Sequence, residues 1–288
     1  MKFVPLSSQQ KTDFERDGFL VIPNALPPNM VERLLETTDK LHAKGMHEEG
    51  LNERGFWQMR NCLPEDDIFL EMLDWPTTVP LVVQLLNHNI QLITSHLVVR
   101  PPIPKKSDSS FGRSGWHRDG GTGPSDMGTA QPRMFIKIAY WLSDISQPER
   151  GAIRLLPGSN DTEMKPPEGD PSGTEKFAMR CHPGDAVLFE NRTLHAVGPN
   201  LSELTRKSVF FGYGYRWLRP MDYVNMPQEL LARCDPIRRQ LLGDCTSVMG
   251  FQLPEEDDVP LKSWLQENTG IRIDRTDEIP ALKVGTSR

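Results

Sequence analysis

Three features are missing from this 288-residue sequence: a long hydrophobic run, paired cysteines and an excess of positive charge. A membrane-spanning helix needs about 20 predominantly apolar residues in a row, so none is expected. The net charge of −6 does not favour nucleic acid or an anionic membrane surface as the main partner. Residues 1–5 lack the apolar core of a signal peptide, and we therefore expect a cytosolic protein.

The four cysteines stand far apart in the sequence, and none belongs to a Cys-x-x-Cys pair. This spacing argues against a structural zinc site, and a reducing compartment would leave the cysteines as thiols. The sequence has no internal repeat and no low-complexity segment. Its length fits one large domain, or at most two, and its 25 prolines and 22 glycines indicate many turns between short elements.

Hydrophobic periodicity predicts a chain with helical ends and a β-rich centre. The predicted helices cover residues 8–17, 30–44 (ended by Gly45), 67–87 (in pieces broken at Pro76 and Pro80) and 228–242. The predicted strands cover residues 19–22, 90–99, 134–142, 152–156, 186–189 and 206–215. Many short strands separated by turns are typical of a β-sandwich or barrel.

We therefore expect a single domain that is mainly β with flanking helices. Its helical N-terminal part spans about residues 8–88, its β core about 90–217, and its C-terminal helix and tail 227–288.

Two segments near residue 117 lack an apolar pattern and are predicted to be mobile lids. Residues 101–115 are rich in proline, serine and lysine, and residues 120–131 contain four glycines. Loops of this kind beside a site often close over it. Residues 46–66 are interpreted as a further loop, in which Trp57, Gln58 and Arg60 either line a pocket or, as we favour, lie half-buried at the surface.

Between the two lid segments lies the sequence Ser-Gly-Trp-His-Arg-Asp-Gly-Gly, residues 114–121. His117 and Asp119 are two positions apart, so on an extended strand both side chains point to the same face. His195 follows a strand and a turn, which can place it opposite His117. Two histidines and one carboxylate on one side of a metal are the ligand set of non-haem Fe(II) oxygenases.

Arg206 stands 11 residues after His195, at the start of the next predicted strand. A hairpin of that length can bring its guanidinium into the same cavity. Arginine binds a carboxylate through two parallel hydrogen bonds, so it can hold the far end of a dicarboxylate that chelates the metal.

Taken alone, the His-x-Asp pair is also compatible with a solvated loop between two strands. Two further alternatives keep the metal and change the function: a non-catalytic cupin-like metal-binding module, and a Zn-dependent hydrolase with an open coordination position. Neither alternative requires a clamp for a dicarboxylate, so Arg206 argues against both.

In this order, the motifs resemble those of the phytanoyl-CoA dioxygenase family of Fe(II)/2-oxoglutarate-dependent oxygenases. The resemblance covers roughly residues 8–217 and includes the N-terminal stretch 14–23, the GAIRLLPGSN segment 151–160, and the segment from Gly184 through His195 to Arg206. One departure is Asn160, which stands where the family motif ends in a histidine that does not bind the metal.

The resemblance implies a double-stranded β-helix, or cupin-like jelly roll, with Fe(II), 2-oxoglutarate and O2 as cofactor and cosubstrates. It implies that His117, Asp119 and His195 hold the iron and are the catalytic residues. It also implies that Arg206 binds 2-oxoglutarate. On the strand after the second loop, Tyr140 or Trp141 can wall the same pocket, with core packing as the alternative for each, and we take Tyr140 as the cosubstrate-binding candidate. The implied reaction hydroxylates or otherwise oxidises a small-molecule substrate and releases succinate and CO2.

Overall fold

The structure is a computed structural model that describes residues 1–103, 114–119, 131–167, 176–247 and 249–273. Most of both predicted lids lies outside the described residues. The helices in the described ranges are α1 Ser8–Asp17, α2 Pro28–Glu48, α3 Asp67–Met72, α4 Val79–Leu86, α5 Gln228–Leu231, α6 Pro236–Leu241 and α7 Pro260–Thr269. None of these helices combines the length and apolar character that crossing a membrane requires.

The strands of the described ranges are β1 Phe19–Ile22, β2 Trp57–Arg60, β3 Ile90–Arg100, β4 Ser114–His117, β5 Phe135–Trp141, β6 Ile153–Leu155, β7 Ala186–Glu190, β8 His195–Val197 and β9 Arg206–Tyr215. They form a six-stranded sheet in the order β1-β7-β5-β9-β3-β2 and a three-stranded sheet in the order β4-β8-β6. The strand pairs are antiparallel. This architecture confirms the predicted mainly-β jelly roll.

The two faces of the six-stranded sheet bury different sets of side chains. On β5, Ile136, Ile138 and Tyr140 belong to the large hydrophobic cluster that includes the helices, whereas Ala139 and Trp141 belong to a second cluster between the sheets. Successive residues of a strand point to opposite faces, so this division follows from the alternation along β5. The face of the large sheet that carries Ala139 and Trp141 is therefore the one that faces the small sheet of β4, β8 and β6.

Two glycines of the N-terminal part have different roles. Gly18 ends α1 with φ of 82°, a left-handed conformation that glycine adopts without a steric penalty, as the sequence predicted. The prediction that Gly45 ends α2 is wrong, because the helix continues to Glu48. A Cβ on Gly45 would lie 2.3 Å from Nε1 of Trp57, so Gly45 is small in order to let the indole approach the helix.

Three other predicted boundaries are corrected. Pro80 does not break a helix but lies in the first turn of α4. Backbone N–H groups in the first turn have no acceptor within the helix, so a proline there costs no hydrogen bond. The predicted helix 228–242 is two helices, because Asp235 accepts a hydrogen bond from the N–H of Arg238 and starts α6 anew. Residues 46–66 contain β2, so the N-terminal part adds two strands, β1 and β2, to the large sheet.

Candidate metal centre

The two predicted histidine ligands lie directly opposite each other in the small sheet. His117 at the end of β4 is the antiparallel partner of His195 at the start of β8, and their ring centroids are 4.2 Å apart. Asp119 follows β4, and its N–H donates a hydrogen bond to the carbonyl of Asn191 at 3.1 Å. These backbone contacts bring the three side chains to one point from segments 78 residues apart in sequence.

The side chains fit a divalent metal ion. One ligand atom from each of His117, Asp119 and His195 lies within 4.8 Å of the others. The Nδ1 of His117 contacts the carbonyl of Gly115 at 2.9 Å, and the Nδ1 of His195 contacts that of Thr193 at 3.0 Å. A carbonyl accepts only, so each Nδ1 carries the proton and each Nε2 keeps its lone pair for a metal.

Charge and burial keep this ligand set in the ionisation state that binds metal. Burial alone would raise the pKa of Asp119, but its interactions with the imidazolium form of His195 and with the ammonium of Lys137 outweigh burial and hold that pKa well below its usual value. The Nζ of Lys137 lies 2.8 Å from Oδ2 of Asp119. Burial lowers the pKa of His195 to about 4, so its imidazole is neutral at neutral pH.

Arg118, between the two ligands, turns away from the metal centre and fixes the segment. Its guanidinium donates hydrogen bonds to the carbonyls of Arg192 at 2.7 Å, Ser159 at 3.0 Å and Met164 at 2.9 Å. The end of the GAIRLLPGSN segment is thus tied to the segment of His117 and Asp119 by a single side chain. Arg118 therefore positions the two ligands that flank it.

Arg206 begins β9 and is almost completely enclosed, with 3 % of its surface exposed. Its Nη1 donates to the carbonyl of Gly151 at 2.7 Å, and its guanidinium lies 4.8 Å above the Trp141 ring. Its Nε is buried without a hydrogen-bond partner, and no carboxylate in the described ranges pairs with it. Burial, followed by the charge of Arg100, lowers the pKa of Arg206 well below its usual value. A buried guanidinium with unused donors is suited to an anionic ligand.

One cavity of about 220 Å³ contains all four residues of the predicted constellation: His117, Asp119, His195 and Arg206. Its other polar lining side chains are Arg54, Gln58, Arg60, His96, Arg100 and Lys137. A larger cavity of about 490 Å³ beside the C-terminal helices contains none of the predicted site residues. The chemistry of the lining, rather than cavity size, identifies the smaller one as the candidate site.

Tyr140 is the one predicted site residue that the structure does not bring to this cavity. Its hydroxyl lies 2.6 Å from Oγ1 of Thr78, and its ring belongs to the cluster on the helix side of the sheet. Its neighbour Trp141 has the opposite orientation and lies under the Arg206 guanidinium. The expectation that Tyr140 binds the cosubstrate is therefore corrected, and Tyr140 is a core residue.

Several residues that line the cavity were not predicted from the sequence to belong to the site. Lys137 is a lysine inside an otherwise apolar strand, a signal that could have marked it as a functional residue. His96 on β3 also lines the cavity and stacks on Phe210 with ring centroids 4.7 Å apart. Gln58 and Arg60 line the cavity as well, because β2 pairs with β3.

The sequence profile of the phytanoyl-CoA dioxygenase (PhyH) family matches residues 14–208. Dioxygenase olcK of Penicillium canescens is 22 % identical over 272 residues, which cover 91 % of this chain and 83 % of that protein. The peroxisomal phytanoyl-CoA dioxygenase of Rattus norvegicus is 23 % identical over 260 residues, covering 79 % of this chain and 74 % of that protein.

Solved structures share the same fold. HygX from Streptomyces hygroscopicus, crystallised with nickel and 2-oxoglutarate, matches with a TM-score of 0.59 at 18 % identity. The match covers 75 % of this chain and 90 % of HygX.

Proposed function

This chain belongs to the phytanoyl-CoA dioxygenase family, and from that premise we propose that two histidines and one aspartate hold its iron while Arg206 holds its cosubstrate. The protein is an Fe(II)/2-oxoglutarate-dependent dioxygenase that uses Fe(II), 2-oxoglutarate and O2. The proposed iron ligands are His117, Asp119 and His195. The proposed substrate is a small molecule.

A single observation carries this assignment. The convergent ligand atoms of His117, Asp119 and His195 line the same cavity as the buried guanidinium of Arg206. The three ligands would occupy one face of the metal and leave the other face for cosubstrates. Arg206 would form a two-pronged contact with the distal carboxylate of 2-oxoglutarate, which would supply the partner that its Nε lacks.

Fe(II) bound at this centre supplies the oxidative chemistry, in which 2-oxoglutarate and O2 give succinate and CO2 while a substrate C–H bond is hydroxylated. The chain's own residues hold and orient the reactants. The Nδ1 hydrogen bonds of His117 and His195 fix both rings, and Lys137 fixes the carboxylate of Asp119. Apolar side chains in the cavity wall, among them Phe189 and Phe210, limit access of water.

The two alternative readings of the metal centre are not favoured. A bare metal-binding module or a zinc hydrolase has no need for a buried arginine that faces the metal-binding cavity. Enclosing a guanidinium without a carboxylate partner costs several kcal/mol, and a ligand that pairs with it offsets this cost. The position of Arg206 is therefore explained by an anionic cosubstrate.

The proposal is tested by anaerobic titration of Fe(II) into the apo-protein with 2-oxoglutarate, followed by the weak visible metal-to-ligand charge-transfer band. The wild type should develop the band, His195→Ala should abolish it, and Arg206→Ala should weaken it. Tyr140→Phe is the matched control and should keep the band, because the Tyr140 hydroxyl contacts Thr78 on the far side of the sheet. A folded, metal-loaded wild type without the band would contradict the proposal.

A further inference from the structure

The cavity around the metal centre carries a strong excess of positive charge. Five of its lining side chains are cationic, namely Arg54, Arg60, Arg100, Lys137 and Arg206, and Asp119 is its only carboxylate among the described residues. A divalent metal and a dianionic cosubstrate neutralise each other, so loading the site leaves this excess in place. An apolar substrate would gain nothing from it, whereas an anionic substrate would be attracted and oriented.

Two of these cations lie where a substrate can reach them. Arg54 and Arg60 are exposed and line the cavity, and neither has a carboxylate within ion-pair distance in the part of the chain that the structure describes. Arg60 is the cross-strand partner of His96 on β3. Directly opposite residues of paired strands share a face, so Arg60 and His96 stand side by side on the cavity wall.

A chain of hydrogen bonds fixes which nitrogen of His96 carries a proton. The Oγ1 of Thr94 donates to Oδ2 of Asp222 at 2.7 Å and lies 3.1 Å from Nδ1 of His96. The threonine hydroxyl has one proton, which the carboxylate takes, so Oγ1 must accept from His96 and Nδ1 must carry the proton. Burial, followed by the charges of Lys137 and Arg60, lowers the pKa of His96 well below its usual value, and the ring is neutral.

Neutral His96 therefore keeps a bare lone pair on Nε2. The side chain is 6 % exposed, lines the cavity, and has no hydrogen-bond partner for Nε2 in the described ranges. An unpaired acceptor on the cavity wall can receive a hydrogen bond from a hydroxyl or amino group of a ligand. The guanidinium of Arg60 beside it can pair with an anion.

We propose that Arg60 and His96 form a substrate subsite that binds a small molecule bearing an anionic group, carboxylate or phosphate, and a nearby hydroxyl or amino group. Arg60 binds the anion, and Nε2 of His96 accepts the hydrogen bond. The substrate is thus a polar acid rather than an apolar lipid. The inference rests on the proposed function, since the subsite lies in the cavity assigned to iron and 2-oxoglutarate.

The test uses full-length protein loaded anaerobically with Fe(II) and saturating 2-oxoglutarate, and the charge-transfer band is recorded first. Absence of that band contradicts the proposed function, whereas its presence leaves only the subsite in question. Four probes are then titrated: 3-hydroxybutyrate, butyrate, 3-hydroxybutyramide and glycerol 3-phosphate. Binding is measured as the shift of the band and, independently, by calorimetry.

In the wild type, 3-hydroxybutyrate should bind at least about tenfold more tightly than its amide, because a hydrogen-bonded charge pair is lost. It should also bind several-fold more tightly than butyrate, which lacks the hydroxyl. Arg60→Gln should abolish the preference for 3-hydroxybutyrate over its amide. His96→Phe should abolish the preference for 3-hydroxybutyrate over butyrate. The relative affinities of glycerol 3-phosphate and 3-hydroxybutyrate assign the anion as phosphate or carboxylate.

Thr94→Val serves as a second variant if His96→Phe does not fold, because loss of the Thr94 hydroxyl frees the His96 tautomer and should reduce the preference for the hydroxyl. Arg233→Gln is the matched control, since Arg233 is exposed, pairs with Asp67 and does not line the cavity. The inference is overturned if acid and amide bind the wild type equally, if no probe binds, or if Arg60→Gln keeps the preference for the acid.

Discussion

Replacing Arg206 by methionine should have opposite effects on the stability of the apo-protein and on 2-oxoglutarate binding. The guanidinium is enclosed, donates one hydrogen bond to Gly151 and lies over Trp141, but it lacks a carboxylate among the described residues. Losing these contacts costs roughly 2–4 kcal/mol, whereas removing an uncompensated buried charge returns several kcal/mol. We therefore expect the unfolding free energy of Arg206→Met apo-protein to match that of the wild type or to exceed it by about 1–3 kcal/mol.

The same substitution removes the two-pronged contact that we assign to the cosubstrate. A bidentate charge-assisted pair is worth about 3 kcal/mol, which corresponds to a roughly 100-fold higher Kd for 2-oxoglutarate. At a concentration of 100 wild-type Kd, 2-oxoglutarate should stabilise the metal-loaded wild type by about 2.7 kcal/mol and the variant by only about 0.4 kcal/mol. Chemical unfolding of both proteins, with and without 2-oxoglutarate, measures all four values.

Arg216→Met is the matched control for a buried arginine. Arg216 is 1 % exposed and donates to the carbonyls of Asp258 at 2.6 Å and Asp244 at 2.8 Å, away from the metal cavity. This variant should lose stability, because it gives up two hydrogen bonds and the attraction of the nearby Asp244 and Asp258, and it should keep its 2-oxoglutarate affinity. The reasoning is refuted if Arg206→Met loses more than about 1 kcal/mol of apo stability while it binds 2-oxoglutarate as the wild type does.

Three further predictions concern other parts of the structure. Gly45→Ala should lower the unfolding free energy by about 2 kcal/mol, because its Cβ would lie 2.3 Å from the Trp57 indole; equal midpoints in urea for variant and wild type would contradict that close approach. Lys137→Met should weaken binding of the metal roughly tenfold, because the ammonium 2.8 Å from Asp119 holds the carboxylate in place. Unchanged or tighter metal affinity in calorimetry would show that the ammonium does not help to position the carboxylate. The third prediction concerns pH: the folded pKa of His195, about 4, lies below its unfolded value of 6.5, so its contribution to stability is complete above pH 6.5 and is lost as the pH falls toward 4. Between pH 7 and pH 5 the unfolding free energy of the apo-protein should fall by about 2 kcal/mol through this group. That of His195→Gln, measured by urea titration, should fall correspondingly less. Equal decreases in the two proteins would contradict the lowered pKa of His195.

The proposed metal ligands could be predicted from the sequence because each stands in a recognisable local pattern. His117 and Asp119 share a face through the two-residue period of a strand, and His195 follows a recognisable strand and turn. The segment order that resembles the family placed Arg206 in the same cavity. These inferences rested on spacing and residue type together with the resemblance to the family.

Other features depended on strand pairing, which the sequence alone does not specify. Tyr140 and Trp141 are adjacent, and which of them faces the cavity depends on the face assignment of the whole strand. Four-residue β2 is too short to show alternation, so Arg60 could be placed beside His96 only once the pairing with β3 was known. Gly45 resembled a helix end because its packing partner, Trp57, is distant in sequence.

The most direct test of the central claim is the reaction of the protein with Fe(II), 2-oxoglutarate and 18O2, with succinate analysed by mass spectrometry. The account predicts succinate carrying one 18O atom from the wild type, none above background from Asp119→Ala, and greatly reduced amounts from Arg206→Met at low 2-oxoglutarate. The account would be contradicted by a folded wild type that binds Fe(II) and forms no labelled succinate. It would also be contradicted by an Asp119→Ala variant that forms labelled succinate at the wild-type rate.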